Sequence, residues 1–275
     1  MTRTILITGC SSGIGLDAAH GLRARGWKVF ASCRKQVDCD RLRAQGFDSP
    51  RIDYADAETI RSGLAEVLEK TDGRLDAVFN NGAHGLPGAV EDVSTEGMRH
   101  IFEANFFGWH ELIRQVVPIM RQQGSGRIVQ CSSVLGLVAF PWRGAYVATK
   151  FALEGYSDTL RLELRGSGVD VVLIEPGPIT SKLREKAIPM FERFVDWEGS
   201  ALRAQYEASL LKRLYEDSGP DRFELPAAAV TAKLARALDA KRPRHRYYVT
   251  TPTYVAGYLR RILPTRIIDR ILAGI

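Results

Sequence analysis

Short runs of apolar, β-branched residues recur along this chain, and longer stretches with helical periodicity separate them. That alternation predicts a parallel sheet, because parallel neighbours need a crossover connection, ordinarily a helix. Strands are expected at Thr4–Thr8, Trp27–Ser32, near Arg51–Asp53, and at Ala77–Asn80, Arg127–Cys131, Val169–Ile174 and Arg246–Thr250. Helices are expected at Gly15–Arg25, Asp56–Thr71, Glu96–Gln123, Ala145–Arg165 and Pro226–Ala240. Residues 178–225 break the rhythm with amphipathic pieces such as Ala201–Tyr215 and end in Ser-Gly-Pro; they suit a substrate-binding insertion over the sheet, the usual place for substrate contacts. The expected fold class is α/β, a doubly wound parallel sheet with helices on both faces, forming a single domain over 1–275.

A chain of 275 residues, 45% hydrophobic and 25% charged, can bury its core without disulfides or metal. Cys10, Cys33, Cys39 and Cys131 show no metal-ligand spacing, so no metal site is expected, and free thiols suit a cytoplasmic protein. The net charge of +6 is mild and no run of five or six like charges occurs. Nucleic acid is therefore not an expected partner, whereas a polyanionic cofactor is modestly favoured. The N-terminus runs straight into a strand with no apolar signal region. No apolar run approaches the roughly 18–20 residues that cross a bilayer, and a cytoplasmic location is expected.

Thr8-Gly9-Cys10-Ser11-Ser12-Gly13-Ile14-Gly15 follows the first strand and opens the first helix. Glycines there let the backbone turn tightly and let a pyrophosphate approach, while the helix N-terminus offers free N–H groups. The spacing is G-x-x-x-G-x-G rather than G-x-G-x-x-G, and an ordinary Gly/Ser-rich loop is the plain alternative. In dinucleotide folds an acid at the end of the second strand usually binds the ribose hydroxyls of NAD. Here that strand runs into Cys33-Arg34-Lys35. A guanidinium can fork onto a ribose 2′-phosphate, so NADP(H) is the preferred cofactor and NAD(H) stays open. Arg34 and Lys35 also read as a solvated turn.

Tyr146 and Lys150 stand four residues apart at the start of a long helix, on one face. A nearby ammonium favours the phenolate, and a phenol tuned towards neutrality can exchange a proton with a carbonyl or alcohol. Alone, the pair reads equally as a surface pair. Ser133, thirteen residues before Tyr146, falls at the carboxyl end of an expected strand, where open α/β sheets place ligands.

Taken together, these motifs resemble the classical short-chain dehydrogenase/reductase family, over roughly residues 3–181 and more loosely 226–250. The matching positions are Thr8-Gly9, Gly13-Ile14-Gly15, Asp53, Asn80-Asn81-Gly82-Ala83, Asn105, Ser132-Ser133, Tyr146-x-x-x-Lys150 and Pro176-Gly177. The resemblance implies a single Rossmann-type sheet and hydride transfer between a nicotinamide cofactor and a CH–OH group. It makes Tyr146 the acid/base, Lys150 the group that lowers its pKa and holds the nicotinamide ribose, Ser133 the orienter of the substrate oxygen, and Asn105 the holder of a relay water. As a plain alternative, Asn105 is a satisfied polar group at a helix kink. The implied cofactor contacts are Gly9, Ser11, Ser12, Gly13, Ile14, Gly15, Arg34, Asp53, Asn80, Tyr146, Lys150, Pro176, Gly177, Ile179 and Thr180. Asp53 would meet the adenine, Asn80 line the cleft, and Ile179 and Thr180 meet the nicotinamide amide. Two departures stand out. The family's Asn-Asn-Ala-Gly is Asn80-Asn81-Gly82-Ala83 here, which would strain Ala83 if its φ were positive unless Gly82 or Gly85 absorbs it. Ser12 stands where some NADP-preferring members carry a basic residue.

Within the family, the chain resembles the hydroxysteroid and retinol dehydrogenase-like subgroup, through Thr-Gly-Cys-Ser-Ser-Gly-Ile-Gly, Ser-Cys-Arg-Lys, Lys-Phe-Ala-Leu-Glu-Gly and Ile-Glu-Pro-Gly-Pro-Ile. That implies a lipophilic alcohol, ketone or aldehyde as substrate. Met190, Phe191, Phe194, Trp197 and Tyr206 would wall an apolar pocket or simply pack. The resemblance also implies a homodimer or homotetramer built on the two long helices. Thr253–Ile275, split by Pro264, carries Arg260, Arg261, Arg266 and Arg270 among apolar residues. It reads first as a helix pair packing on the sheet or on a partner subunit, and second as a weak peripheral contact with an acidic membrane. Two further readings are a cofactor-binding regulatory protein without turnover and a membrane-associated lipid binder. The complete Asn-Ser-Tyr-Lys set argues against the first.

Overall fold

The computed structural model describes residues 2–216 and 219–273. Six parallel strands form one sheet, β1 (Thr4–Ile7), β2 (Lys28–Ala31), β3 (Ala77–Asn80), β4 (Gly126–Cys131), β5 (Val169–Glu175) and β6 (Arg246–Tyr248), in the order β2-β1-β3-β4-β5-β6. Leu6 lies between Phe30 and Val78 in register, and Val78 pairs onward with Ile128. β1 and β3 are buried along their whole length, as expected of strands covered on both faces. The strand expected near Arg51–Asp53 is absent as a strand. Only single bridges, Phe30 to Asp48 and Cys33 to Arg51, continue the sheet beyond β2. The segment leaves the sheet at once, because Ile52 turns into the core beside Gly63, whose Cβ would lie 2.6 Å from it.

The helices are α1 (Gly13–Arg23), α2 (Gln36–Ala44), α3 (Ala57–Glu69), α4 (Thr95–Phe102), α5 (Gly108–Gln123), α6 (Gly144–Glu163), α7 (Leu183–Phe194), α8 (Arg203–Gln205), α9 (Leu211–Tyr215), α10 (Ala228–Asp239), α11 (Thr251–Ile262) and α12 (Thr265–Ala273). α1 packs against α10, and α3 packs against α5. Local signals account for several ends. Asp56 caps α3 by accepting from Glu58 N at 3.0 Å, Ser94 caps α4 through Gly97 N at 3.1 Å, and α5 stops at Gly124 with φ +67°. α2 was not expected from the sequence. Its buried face is only Cys39 and Leu42, too narrow a stripe to stand out.

The expected helix Glu96–Gln123 is α4 and α5 joined by a π-helical turn, Glu103–Phe107, with Asn105 in its middle. A second π turn, Tyr206–Leu210, joins α8 to α9. A separate apolar core lies beside the main one. It holds Phe191, Phe194 and Tyr206 with Ile101 and Ala145, and Trp142, Tyr146 and Met190 pack on its edge. The aromatics of the inserted segment are thus mainly packing residues: Phe191, Phe194 and Tyr206 are buried, and the Tyr206 hydroxyl donates to Asp92 at 2.8 Å. Pro264 divides the tail, as its lack of an N–H requires. Ser218, in the expected Ser-Gly-Pro end of the insertion, and residues 274–275 of the tail lie outside the described residues. Among the described residues no helix is long and apolar enough to cross a membrane.

Candidate active site

Strand order reverses between β1 and β3, and open α/β sheets bind ligands in the crevice at that switch point. Thr8 follows β1 directly and stitches the two sides together. Its hydroxyl accepts from Asn81 N at 2.9 Å, Gly82 N at 3.2 Å and the Tyr54 hydroxyl at 2.8 Å. The turn then runs through Gly9 at φ +70° and Gly13 at φ +58°. A Cβ on Gly9 would stand 2.6 Å from Gly82 Cα, and one on Gly15 would stand 2.5 Å from the Gly9 carbonyl oxygen. Ser12 caps α1 without a side-chain bond and no acid occupies the first turn, so the helix presents free N–H groups. The cradle therefore fits the pyrophosphate of a dinucleotide. Ala83 is not among the residues of positive φ, and neither is Gly82 or Gly85. The exchanged Gly-Ala pair carries no strain, and nothing needs to absorb it. Gly82 instead lets Gly9 approach.

Ser133, Tyr146 and Lys150 meet at the carboxyl end of β4. Ser133 starts a short 3₁₀ turn, Val134–Gly136, and accepts from Leu135 N at 3.1 Å. Tyr146 and Lys150 occupy the first two turns of α6. Lys150 is 1% exposed. Its ammonium donates to the Cys131 carbonyl at 2.8 Å, lies 4.5 Å over the Trp109 ring and stands 5.5 Å from the centre of the Tyr146 ring. Burial pushes Lys150 down to about 8, with Cys131 and Glu154 pulling it back. Burial raises the Tyr146 phenol well above its ordinary value, Cys131 adds to the rise, and the Ser133 hydroxyl opposes it. The sequence leads one to expect Lys150 to lower this phenol; in the folded chain burial is the largest influence on it.

Asn105 is fully buried. Its Oδ1 accepts from His84 N at 3.0 Å, and its Nδ2 donates to His84 O at 2.9 Å and Thr149 Oγ1 at 3.4 Å. These bonds, made from the middle of the π turn, tie His84 to Thr149, the residue before Lys150. Asn80 is the last residue of β3. It is fully buried and bonded to Tyr54 at 2.6 Å and Gln130 at 2.8 Å. Asp53 accepts from Ala55 N at 3.1 Å and is half-buried. Pro176 accepts from Val134 N at 2.7 Å, and a Cβ on Gly177 would meet Thr250 Oγ1 at 2.1 Å. Ile179 bridges to Leu225, and the exposed Thr180 donates to Glu224 Oε1 at 2.7 Å. Arg34 is exposed at the end of β2.

Sequence reasoning missed four neighbours. Trp109 donates to Gly82 O at 2.9 Å and floors the Lys150 ammonium. His84 stacks on His100 with ring centres 5.2 Å apart. Glu154 lies one helical turn past Lys150, an i+4 spacing that was there to be read. Lys186, from α7, donates to Ser12 Oγ at 2.9 Å across 174 residues, which no spacing could disclose.

Residues 3–190 match the family model described as short chain dehydrogenase. The chain belongs to the short-chain dehydrogenase family. It is 42% identical over 275 residues to the uncharacterized oxidoreductase YbbO of Escherichia coli K12, covering 100% of this chain and 95% of that protein. It is 31% identical over 265 residues to human 17-beta-hydroxysteroid dehydrogenase type 1, covering 91% and 78%. A short chain dehydrogenase/reductase from Burkholderia phymatum, solved in complex with NAD, matches with a TM-score of 0.77 at 26% identity, covering 99% and 95%. This member of the family, with its hydroxysteroid and retinol dehydrogenase-like relatives, is a dehydrogenase acting on CH–OH groups with a nicotinamide cofactor.

Proposed function

We propose that this dehydrogenase prefers NADP(H) and acts on a lipophilic alcohol, ketone or aldehyde of hydroxysteroid or retinoid type, with Asn105, Ser133, Tyr146 and Lys150 as its catalytic set. The observation that carries the catalytic reading is Lys150, an ammonium buried beside Tyr146 on a carbonyl and an indole face. Such a group costs stability where it stands and is retained for chemistry. The NADP(H) preference is supported by Arg34, for which no carboxylate of the described residues lies within ion-pair distance. The lipophilic substrate is supported by the apolar edge of the second core, against which Trp142, Ile188 and Met190 pack as Tyr146 does.

When bound, the nicotinamide supplies or takes the hydride. In reduction Tyr146 gives its proton to the developing alkoxide, and Ser133 orients that oxygen by hydrogen bonding. Lys150 stabilises the resulting phenolate. Asn105 keeps one lone pair of Oδ1 for a relay water and fixes the 82–84 backbone. With lipophilic ketones and aldehydes, NADPH absorbance at 340 nm is expected to fall faster than NADH absorbance. Cofactor binding without turnover across the whole panel would favour the regulatory alternative.

The assembly is read as a homodimer or homotetramer, supported by exposed Phe107 in the π turn before α5 and exposed Leu162 on α6. The tail supports a weak membrane contact. α11 buries only Thr253 and Gly257, while Val255, Tyr258, Ile262, Ile267 and Ile271 stay exposed beside Arg260, Arg261, Arg266 and Arg270. Burying such a face at an anionic surface combines apolar transfer with charge attraction. Co-sedimentation with vesicles containing phosphatidylglycerol is expected for the full chain and lost on deleting residues 253–275. Equal pelleting of both would remove the tail from the contact.

A further inference from the structure

The glycine turn itself carries no cation: its residues are Thr8 to Gly15, with hydroxyls at Ser11 and Ser12. A cation nevertheless sits on it. Lys186 Nζ donates to Ser12 Oγ at 2.9 Å and reaches Ser11 Oγ at 3.4 Å. The backbone leading into α7 lies on the turn as well, since a Cβ on Gly13 would meet Ser181 Cβ at 3.4 Å. Among the described residues no carboxylate comes within ion-pair distance of the Lys186 nitrogen. The nearest acid in effect, Asp38, is paired with Arg41 at 3.0 Å, and Arg41 also donates to the Ser11 carbonyl at 2.8 Å. Partial desolvation, and then the positive charges of Arg34 and Lys182, press the Lys186 pKa down against the pull of Asp38. Cys10 N donates to the Ser32 carbonyl at 2.9 Å, so the turn that carries Lys186 on its hydroxyls also adjoins the segment that carries Arg34, and the two cations repel each other there. A doubly charged anion between them removes the repulsion and supplies strong acceptors.

We propose that Lys186 and Arg34 together form the subsite for the 2′-phosphate of NADP(H). This rests on the NADP(H) reading above and gives it a second, long-range determinant. Position separates this group from the pyrophosphate. The pyrophosphate belongs at the free N–H groups of α1, whereas the end of β2, where Arg34 stands, is where such folds meet the adenosine ribose. Lys186 thereby replaces from α7 a charge that the turn lacks. One residue further along α7, Ala187 is buried, and Phe191 and Phe194 belong to the core on whose edge Tyr146 packs. Holding the 2′-phosphate therefore also holds the helix that borders the substrate side.

The test uses two fragments that carry no nicotinamide, adenosine 2′,5′-bisphosphate and adenosine 5′-monophosphate, with affinities measured by calorimetry on the full chain. The wild type is expected to bind the bisphosphate at least about 10-fold more tightly. Lys186→Gln is expected to lose about 10-fold for the bisphosphate and less than twofold for the monophosphate, the loss expected of one charge-assisted contact. Arg34→Gln should behave alike. Equal losses for both fragments would put the ammonium on the 5′-phosphate and overturn the assignment, as would unchanged affinity in Lys186→Gln. If Arg34→Gln alone loses discrimination, the NADP(H) reading stands and the role of Lys186 fails. If the wild type does not discriminate, the NADP(H) reading fails and takes the subsite with it.

Discussion

Tyr146→Phe is expected to cut carbonyl reduction by about 10²- to 10⁴-fold, the range attributed to a positioned general acid, while cofactor affinity changes less than about twofold. The substitution removes one oxygen and leaves the ring packed on the edge of the second core. Burial holds the phenol above its ordinary value, so at neutral pH the hydroxyl keeps its proton. That is the state a reduction needs, because the alkoxide must collect a proton as the hydride arrives. The reverse reaction needs the phenolate, so alcohol oxidation should rise with pH over the range in which reduction still runs. Initial rates in both directions, beside cofactor fluorescence and circular dichroism of the variant, check this. Near-wild-type turnover in Tyr146→Phe, with folded protein and bound cofactor, would remove the acid/base assignment.

Much of this arrangement was legible because the fold writes its site at strand ends. Ile5 to Ile7 and Ala77 to Phe79 are continuous apolar runs, so the strands on either side of the switch point could be read directly, and the glycines after them marked the turn. Tyr146 and Lys150 were legible because one helix carries both at a fixed angular offset. The less legible parts are tertiary. Residues near Arg51 have strand-like composition, but packing of Ile52 against α3 takes the chain away from the sheet. The π turn at Asn105 leaves no periodic trace, since a single widened turn shifts the apolar stripe of α4 and α5 by only one residue. The substrate-side aromatics could not be sorted into wall and packing by type. Phe191 and Met190 are neighbours in sequence, yet one is fully buried and the other lies at the core's edge. Lys186 reaches Ser12 only because residues 181–186 fold back over the turn.

Lys150→Met is expected to abolish most activity and, at pH 7, to stabilise the protein. An ordinary lysine keeps its proton up to 10.5, whereas in the folded chain Lys150 loses it near 8, mainly because burial disfavours the charge. That lowering corresponds to about 3 kcal/mol of folding free energy lost at pH 7. Below pH 8 both folded and unfolded states hold the proton, and the folded state bears the whole desolvation cost. Between 8 and 10.5 only the unfolded state holds it, so the cost shrinks with rising pH, and above 10.5 it is gone. Methionine fills the aliphatic stem and its soft sulfur suits the Trp109 face, but it leaves the Cys131 carbonyl without the bond now made at 2.8 Å, at about 1 kcal/mol. The net gain at pH 7 is about 2 kcal/mol, a rise of roughly 4–8 °C in Tm for a chain of this size. At pH 10 the advantage should have largely disappeared. The same ionisation limits the enzyme: the proposed role of Lys150 needs the ammonium, so wild-type reduction should decline above about pH 8. Thermal unfolding of both proteins at pH 7 and pH 10, beside the pH–rate profile, decides the matter. A Lys150→Met variant that unfolds earlier than wild type at pH 7 would mean that the ammonium is held for stability, and the argument from its burial to catalysis would fall with that result.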